Sequence, residues 1–155
     1  MSDLTQRLAQ LGLTLPVPAR AVAAYVPYVI TGNLVFISGQ LPMENGTLAV
    51  TGLLGKEVNV TAGQNAARLC ALNILAQLDA AVGSKAELIA RCVKLTGFVA
   101  SAPGFYDQPK VVNGASELME QVFGEAGKHA RAAVGVSALP LNAAVEVEAI
   151  FALKV

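Results

Sequence analysis

The chain has 155 residues, of which 54% are apolar and only 14% charged, with 11 basic and 11 acidic residues in balance. That length suits one domain, and a charged fraction well below the roughly 25% of an average soluble domain predicts a homo-oligomer that hides apolar surface between subunits. No two basic residues are adjacent, which argues against a nucleic-acid partner, and polar residues break every apolar run short of the ~18–20 residues of a membrane helix.

The first segment, to about Gly12, reads as a short amphipathic helix, with Leu4, Leu8 and Leu11 at helical spacing. It lacks the basic-then-apolar plan of a secretory signal, which points to the cytoplasm. Pro16 and Pro18 then impose an extended connection, so residues 1–19 are expected to form a helix and linker packed on a domain spanning 20–155. From Val22 to Pro42 the chain is rich in Val, Ile, Tyr and Phe, and Thr31-Gly32-Asn33 splits it into a β-hairpin. Met43 to Val60 reads as irregular, with one short strand around Thr47 to Val50; its glycines have the wrong spacing for a phosphate loop.

Thr61 with Gln64 reads as a capping box opening a long helix that runs to Gly83, and Ser84 with Glu87 as a second box. Ile89 to Ala100 alternates as a strand, Ser101 to Pro109 is a loop, and Lys110 to Phe123 a second helix ended by glycines. Two strands, Arg131 to Ser137 and Ala144 to Leu153, follow, with Leu139-Pro140-Leu141-Asn142 turning between them. The order predicts an α+β fold: a mixed sheet with both long helices on one face and a second subunit on the other.

Several residues could carry chemistry. In the last strand Glu146 and Glu148 share a face opposite Val145, Val147, Ala149 and Phe151; they could form a site, or a structural ion pair with Arg131 or Lys154. Arg131 opens a strand otherwise made of Ala, Val, Gly and Ser, and a guanidinium there is suited to grip a planar carboxylate. His129, the sole histidine, has no Ser, Cys or second His close in sequence and reads as a surface-loop residue. Cys70 and Cys92 lack metal-ligand spacing and read as buried thiols, with no metal site expected. Asn45-Gly46-Thr47 and Asn59-Val60-Thr61 match a glycosylation pattern that has meaning only in a secreted protein, and are set aside.

Read together, the segments TGNLVFISGQLP and HARAAVGVSALPLNAAVEVEAIFAL, with the elements between them in matching order, resemble the reactive intermediate deaminase family (RidA, also called YjgF). The resemblance covers residues 20 to 155 and implies a chorismate-mutase-like fold, a homotrimer, and pockets between adjacent subunits. It further implies hydrolysis of enamine and imine intermediates to 2-keto acids and ammonia without a metal or organic cofactor. By that resemblance Arg131 would anchor the substrate carboxylate and Glu146 would position or activate water, while Tyr25, Ser38, Gly39, Asn113 and Ala133 would line the pocket. The chain departs from the family pattern at Ala132 and Ala133, where polar residues are usual, in the Ala-Ala-Tyr-Val context of Tyr25, and in a longer loop from Ser101 to Lys110. These departures, with the N-terminal extension, point to a distinct subgroup and keep open a non-catalytic protein that binds a small carboxylate or keto acid. Endoribonuclease activity, another label of the family, is disfavoured by the scattered basic residues.

Overall fold

A computed structural model describes residues 3–21 and 23–155. Helix α1 (Asp3–Gln10) leads into an extended strap. Strands β1 (Tyr28–Thr31) and β2 (Leu34–Gln40) form the expected hairpin, starting at Tyr28; Val22, where the strand-rich stretch was expected to begin, lies outside the described residues. Pro27 explains the later start, since it has no N–H to give a ladder. Its carbonyl instead accepts from the Ser38 amide at 2.9 Å.

Strands β3 (Met43–Glu44) and β4 (Thr47–Leu48) make a two-residue hairpin in place of the single strand expected. Asn45 and Gly46 both have positive φ, 52° and 79°, the combination a tight turn of primed type demands and that Asn-Gly supplies readily. The triplet set aside as a sugar acceptor is therefore a turn.

Helix α2 (Val60–Ala81) is capped by Asn59, whose side chain accepts from the Ala62 amide at 2.8 Å. The expected Thr61–Gln64 box does not form. The helix starts one residue before Thr61, so Thr61 is already inside it, and the Gln64 amide donates to the Lys110 carbonyl at 3.0 Å, tying α2 to its neighbour. Ser84 likewise does not cap the short 3-10 turn Ala86–Leu88. Its φ of 61° turns it back, and its hydroxyl donates to Asp79 at 2.9 Å.

Strand β5 (Ile89–Ala100), helix α3 (Gln108–Phe123), strand β6 (Ala130–Val136) and strand β7 (Val145–Leu153) complete the chain. Helix α3 begins two residues before the predicted Lys110 because Pro109 fits the first turn. The sheet has the order β1-β2-β7-β5-β6, antiparallel except for β5 with β6. Helices α2 and α3 both pack on one face, as the pattern predicts. They approach closely at Gly114, where a Cβ would run into the Gln64 carbonyl.

The core lies between that face and the helices: Val35, Ile37, Leu95, Val147 and Phe151 from strands meet Cys70, Ile74, Leu75, Leu118 and Met119 from helices. Two amides on α2 fasten loops to this layer. Asn73 donates to the Leu41 and Met43 carbonyls, at 3.1 and 3.0 Å, and Gln77 to the Ala19 carbonyl at 2.7 Å. The opposite face is uncovered in the single chain and carries Val29, Phe36 and Val134, exposed by 50%, 40% and 44%. Val29, Phe36 and Ile150 stand side by side across three strands, an apolar row of the sort a subunit interface hides.

Leu4 and Leu8 of α1 are fully buried in the core cluster, and Arg7 donates to the Val122 carbonyl and lies 6.0 Å from the Phe123 ring centre. Leu8→Ala should therefore cost about 2–5 kcal/mol in a urea unfolding curve. A change within ~0.5 kcal/mol, as for a surface position, would show that α1 is not part of the packed structure.

Candidate functional site

Strand alternation decides where each candidate points. Glu146 lies opposite Phe98, and Phe98 opposite Val134, so Glu146 stands on the uncovered face. Arg131 lies opposite Leu95, and Leu95 opposite Ala149, so Arg131 stands at the edge of the helix-covered face. The two side chains are on opposite sides of one sheet, which removes the ion pair between them that spacing alone allowed.

Glu146 lines a cleft of about 220 Å³ together with Tyr25, Gly39, Gln40, Pro140 and Arg20. A bulge builds it. Between Ile37 and Gln40 strand β2 advances by three residues while β7 advances by two, from Ala149 to Val147. The extra residue re-aims the backbone and seats Gly39 against the carboxylate. A Cβ on Gly39 would sit 2.5 Å from Glu146 Oε2, so any side chain there would push the carboxylate out of its present position. Ser38 does not face the cleft with a free hydroxyl; it donates to the Val26 carbonyl at 2.7 Å and so pins the segment that carries Tyr25. Burial pushes the Glu146 carboxyl above the ordinary 4.5, and the nearby Glu148 adds to the shift.

Arg131 lines a second cleft of about 370 Å³ with Asn113, Ser116, His129, Lys128 and Glu117. Its Nη1 donates to Asn113 Oδ1 at 2.8 Å and to Ser116 Oγ at 3.3 Å. Asn113 and Ser116 are one helical turn apart on α3 and so present to the same side. Ala133 lines neither cleft; it packs against the core one alternation step along β6 from Arg131.

His129 lies in the loop before β6, as expected, but it is half-buried and not at the open surface: its Nδ1 lies 2.7 Å from the Gly127 carbonyl and its Nε2 2.9 Å from Ser116 Oγ. The missing partner was thirteen residues earlier in sequence and on another element; the Asn113–Ser116 spacing on α3 was the available signal. Burial lowers the imidazole below its ordinary 6.5, the Gly127 carbonyl opposes this, and Arg131 adds to the lowering. Cys70 and Cys92 are buried free thiols, with burial pushing Cys92 up to about 12. Among the described residues no group of three or more His, Cys, Asp or Glu could hold a metal ion, and no helix is long and apolar enough to cross a membrane.

The raised Glu146 carboxyl has a consequence for stability. Folding favours its protonated form, so its contribution is present below the unfolded value of 4.5 and is lost as pH rises through the higher folded value. Glu146→Gln, which is neutral at every pH, should therefore be more stable than the parent at pH 7 and differ little from it near pH 4. Thermal unfolding at the two pH values checks this, and a variant less stable at pH 7 would contradict it.

Residues 5–153 match the family model described as "YjgF/chorismate_mutase-like, putative endoribonuclease". The chain is 48% identical to Protein TCP17 of Trypanosoma cruzi over 148 residues, 95% of this chain and 92% of that protein. Its structure is similar to that of a protein of unknown function from Agrobacterium tumefaciens, with 54% identity, coverage of 98% and 93% and a TM-score of 0.92. RidA from the Antarctic bacterium Psychrobacter sp. gives 32% identity, coverage of 90% and 95% and a TM-score of 0.61. The YjgF gene product of E. coli gives 30%, coverage of 90% and 94%, and 0.61. A match over nearly the whole chain, on top of the mixed sheet with two helices on one face, establishes that the chain belongs to the RidA/YjgF family.

Proposed function

We propose that the chain hydrolyses small enamine and imine intermediates bearing a carboxylate, giving a 2-keto acid and ammonia, at sites formed between copies in a homotrimer. The observation that carries this reading is the disposition of Arg131 and Glu146. A guanidinium held by Asn113 stands at the edge of one face, and a carboxylate with raised proton affinity stands in a cleft on the other. One chain cannot bring them together. A second copy laid on the uncovered apolar face would be needed to set one subunit's Arg131 cleft against the next subunit's Glu146 cleft.

The chemistry asks little of the protein. The substrate carboxylate pairs with Arg131 through parallel N–H donors, which holds the electrophilic imine carbon in a fixed place. Glu146 takes a proton from water as the oxygen attacks that carbon and returns it to nitrogen, giving the tetrahedral carbinolamine; it then carries the remaining hydroxyl proton to nitrogen as the C–N bond breaks, leaving the keto acid and ammonia. Tyr25 and Gly39 bound the space around the reacting carbon. No external oxidant or reductant is needed, and free buried thiols suit a reducing, cytoplasmic compartment.

Binding without turnover is the second reading, favoured by the alanines that follow Arg131 and leave no further polar group beside it on β6. Endoribonuclease activity fits poorly with zero net charge and isolated basic residues.

The test is ammonia release from imines generated in the assay by an amino-acid oxidase or dehydratase. Purified protein should accelerate it, and Arg131→Ala should lower kcat/KM by about 100-fold or more. An inert parent protein would refute the catalytic reading, and saturable keto-acid binding that needs Arg131 would then support the binding one.

A further inference from the structure

The cluster behind Arg131 is a connected chain of hydrogen bonds, and with a neutral imidazole it has one consistent set of proton positions. The Gly127 carbonyl can only accept, so His129 Nδ1 carries the ring proton. With the imidazole neutral, Nε2 is an acceptor, and the proton of Ser116 must point to it. The lone pairs of Ser116 Oγ are thereby turned toward Arg131 Nη1, which donates to them and to Asn113 Oδ1. Each link fixes the next, from the backbone at Gly127 to the guanidinium.

We infer that Ser116 and His129 are positioning residues: the imidazole orients the Ser116 hydroxyl, and the hydroxyl aims the Arg131 guanidinium for capture of the substrate carboxylate. The inference rests on the proposed role of Arg131 and extends it to two residues outside the carboxylate contact. A flexible arginine on an edge strand loses rotamer freedom when it binds an anion, and a guanidinium already held by two oxygens on α3 has less to lose. The low proton affinity of His129 keeps Nε2 an acceptor at neutral pH, as the chain of bonds requires.

A Ser–His pair at 2.9 Å also invites comparison with an activated nucleophile. The surroundings argue otherwise. Ser116 lies within α3, where neighbouring backbone N–H groups are spent on the helix and cannot form an oxyanion hole. Its oxygen already accepts from Arg131.

The test combines steady-state kinetics on the imine with calorimetric binding of 2-oxobutanoate to the full chain. Ser116→Ala and His129→Phe should each raise KM and the Kd for 2-oxobutanoate about tenfold, the worth of one charge-assisted hydrogen bond, while leaving kcat nearly unchanged. Ser116→Thr, which keeps the hydroxyl, should restore the parent values. The double variant should be no worse than either single one, since both act through the same bond. His129→Phe should have no further effect once Arg131 is alanine.

Parent-like KM and Kd in Ser116→Ala, with binding lost in Arg131→Ala, would overturn the positioning role alone. Undiminished 2-oxobutanoate binding in Arg131→Ala would overturn the proposed anchor and the positioning role with it. Covalent labelling of Ser116 by phenylmethylsulfonyl fluoride would overturn the inference in favour of a nucleophile.

Discussion

The two-residue repeat of a β-strand governs what this molecule can do. Side chains one step apart on a strand leave on opposite faces, and the register across β6, β5 and β7 carries that rule over the whole sheet. It assigns Arg131 to the side the helices cover and Glu146 to the side they leave bare. A site that uses both must be assembled from two copies, and the apolar row of Val29, Phe36 and Ile150 lies on the face where the second copy would rest. A second copy on the bare face would account at once for the low charge content of the chain and for the placing of Arg131 and Glu146 on opposite sides of the sheet.

Local devices then shape each half. The bulge in β2 is the finest of them, since one extra residue brings the backbone at Gly39 against Glu146, where a side chain would displace the carboxylate. Asn73 and Gln77 hold the strap and the segment after β2 against α2, which fixes one wall of the Glu146 cleft from outside it. On the other side, α3 presents Asn113 and Ser116 to Arg131 from a single turn. Both halves place ionisable groups where burial shifts them in useful directions, a carboxyl made more basic and an imidazole kept neutral.

Much of the fold was legible in sequence because its long elements are strongly periodic. β5 occupies the predicted Ile89–Ala100, and α2, α3, β6 and β7 differ from expectation by only one to a few residues at their ends. The failures are local and share a cause: Asn, Ser and Gln side chains have several backbone partners available, and only tertiary packing selects one. Thus Asn59 rather than Thr61 caps α2, and Asn45-Gly46 makes a turn. The loop position of His129 is legible but its partner is not, since Ser116 is distant in sequence and meets it only when α3 packs beside β6. The family was legible from the motifs at either end of the domain; His129 opens the second motif and Ser116 lies before it, but resemblance assigned a role to neither residue.

The most direct test of a divided site is subunit complementation. Arg131→Ala and Glu146→Gln proteins, each inactive alone, would be unfolded together, refolded as a mixture and assayed for ammonia release from the imine. Inter-subunit sites predict recovery of activity in the mixture, approaching about a quarter of the parent value for random assembly of a closed ring. No recovery, in mixtures shown by mass spectrometry to contain both subunits in one oligomer, would contradict the pairing of Arg131 and Glu146 across the interface.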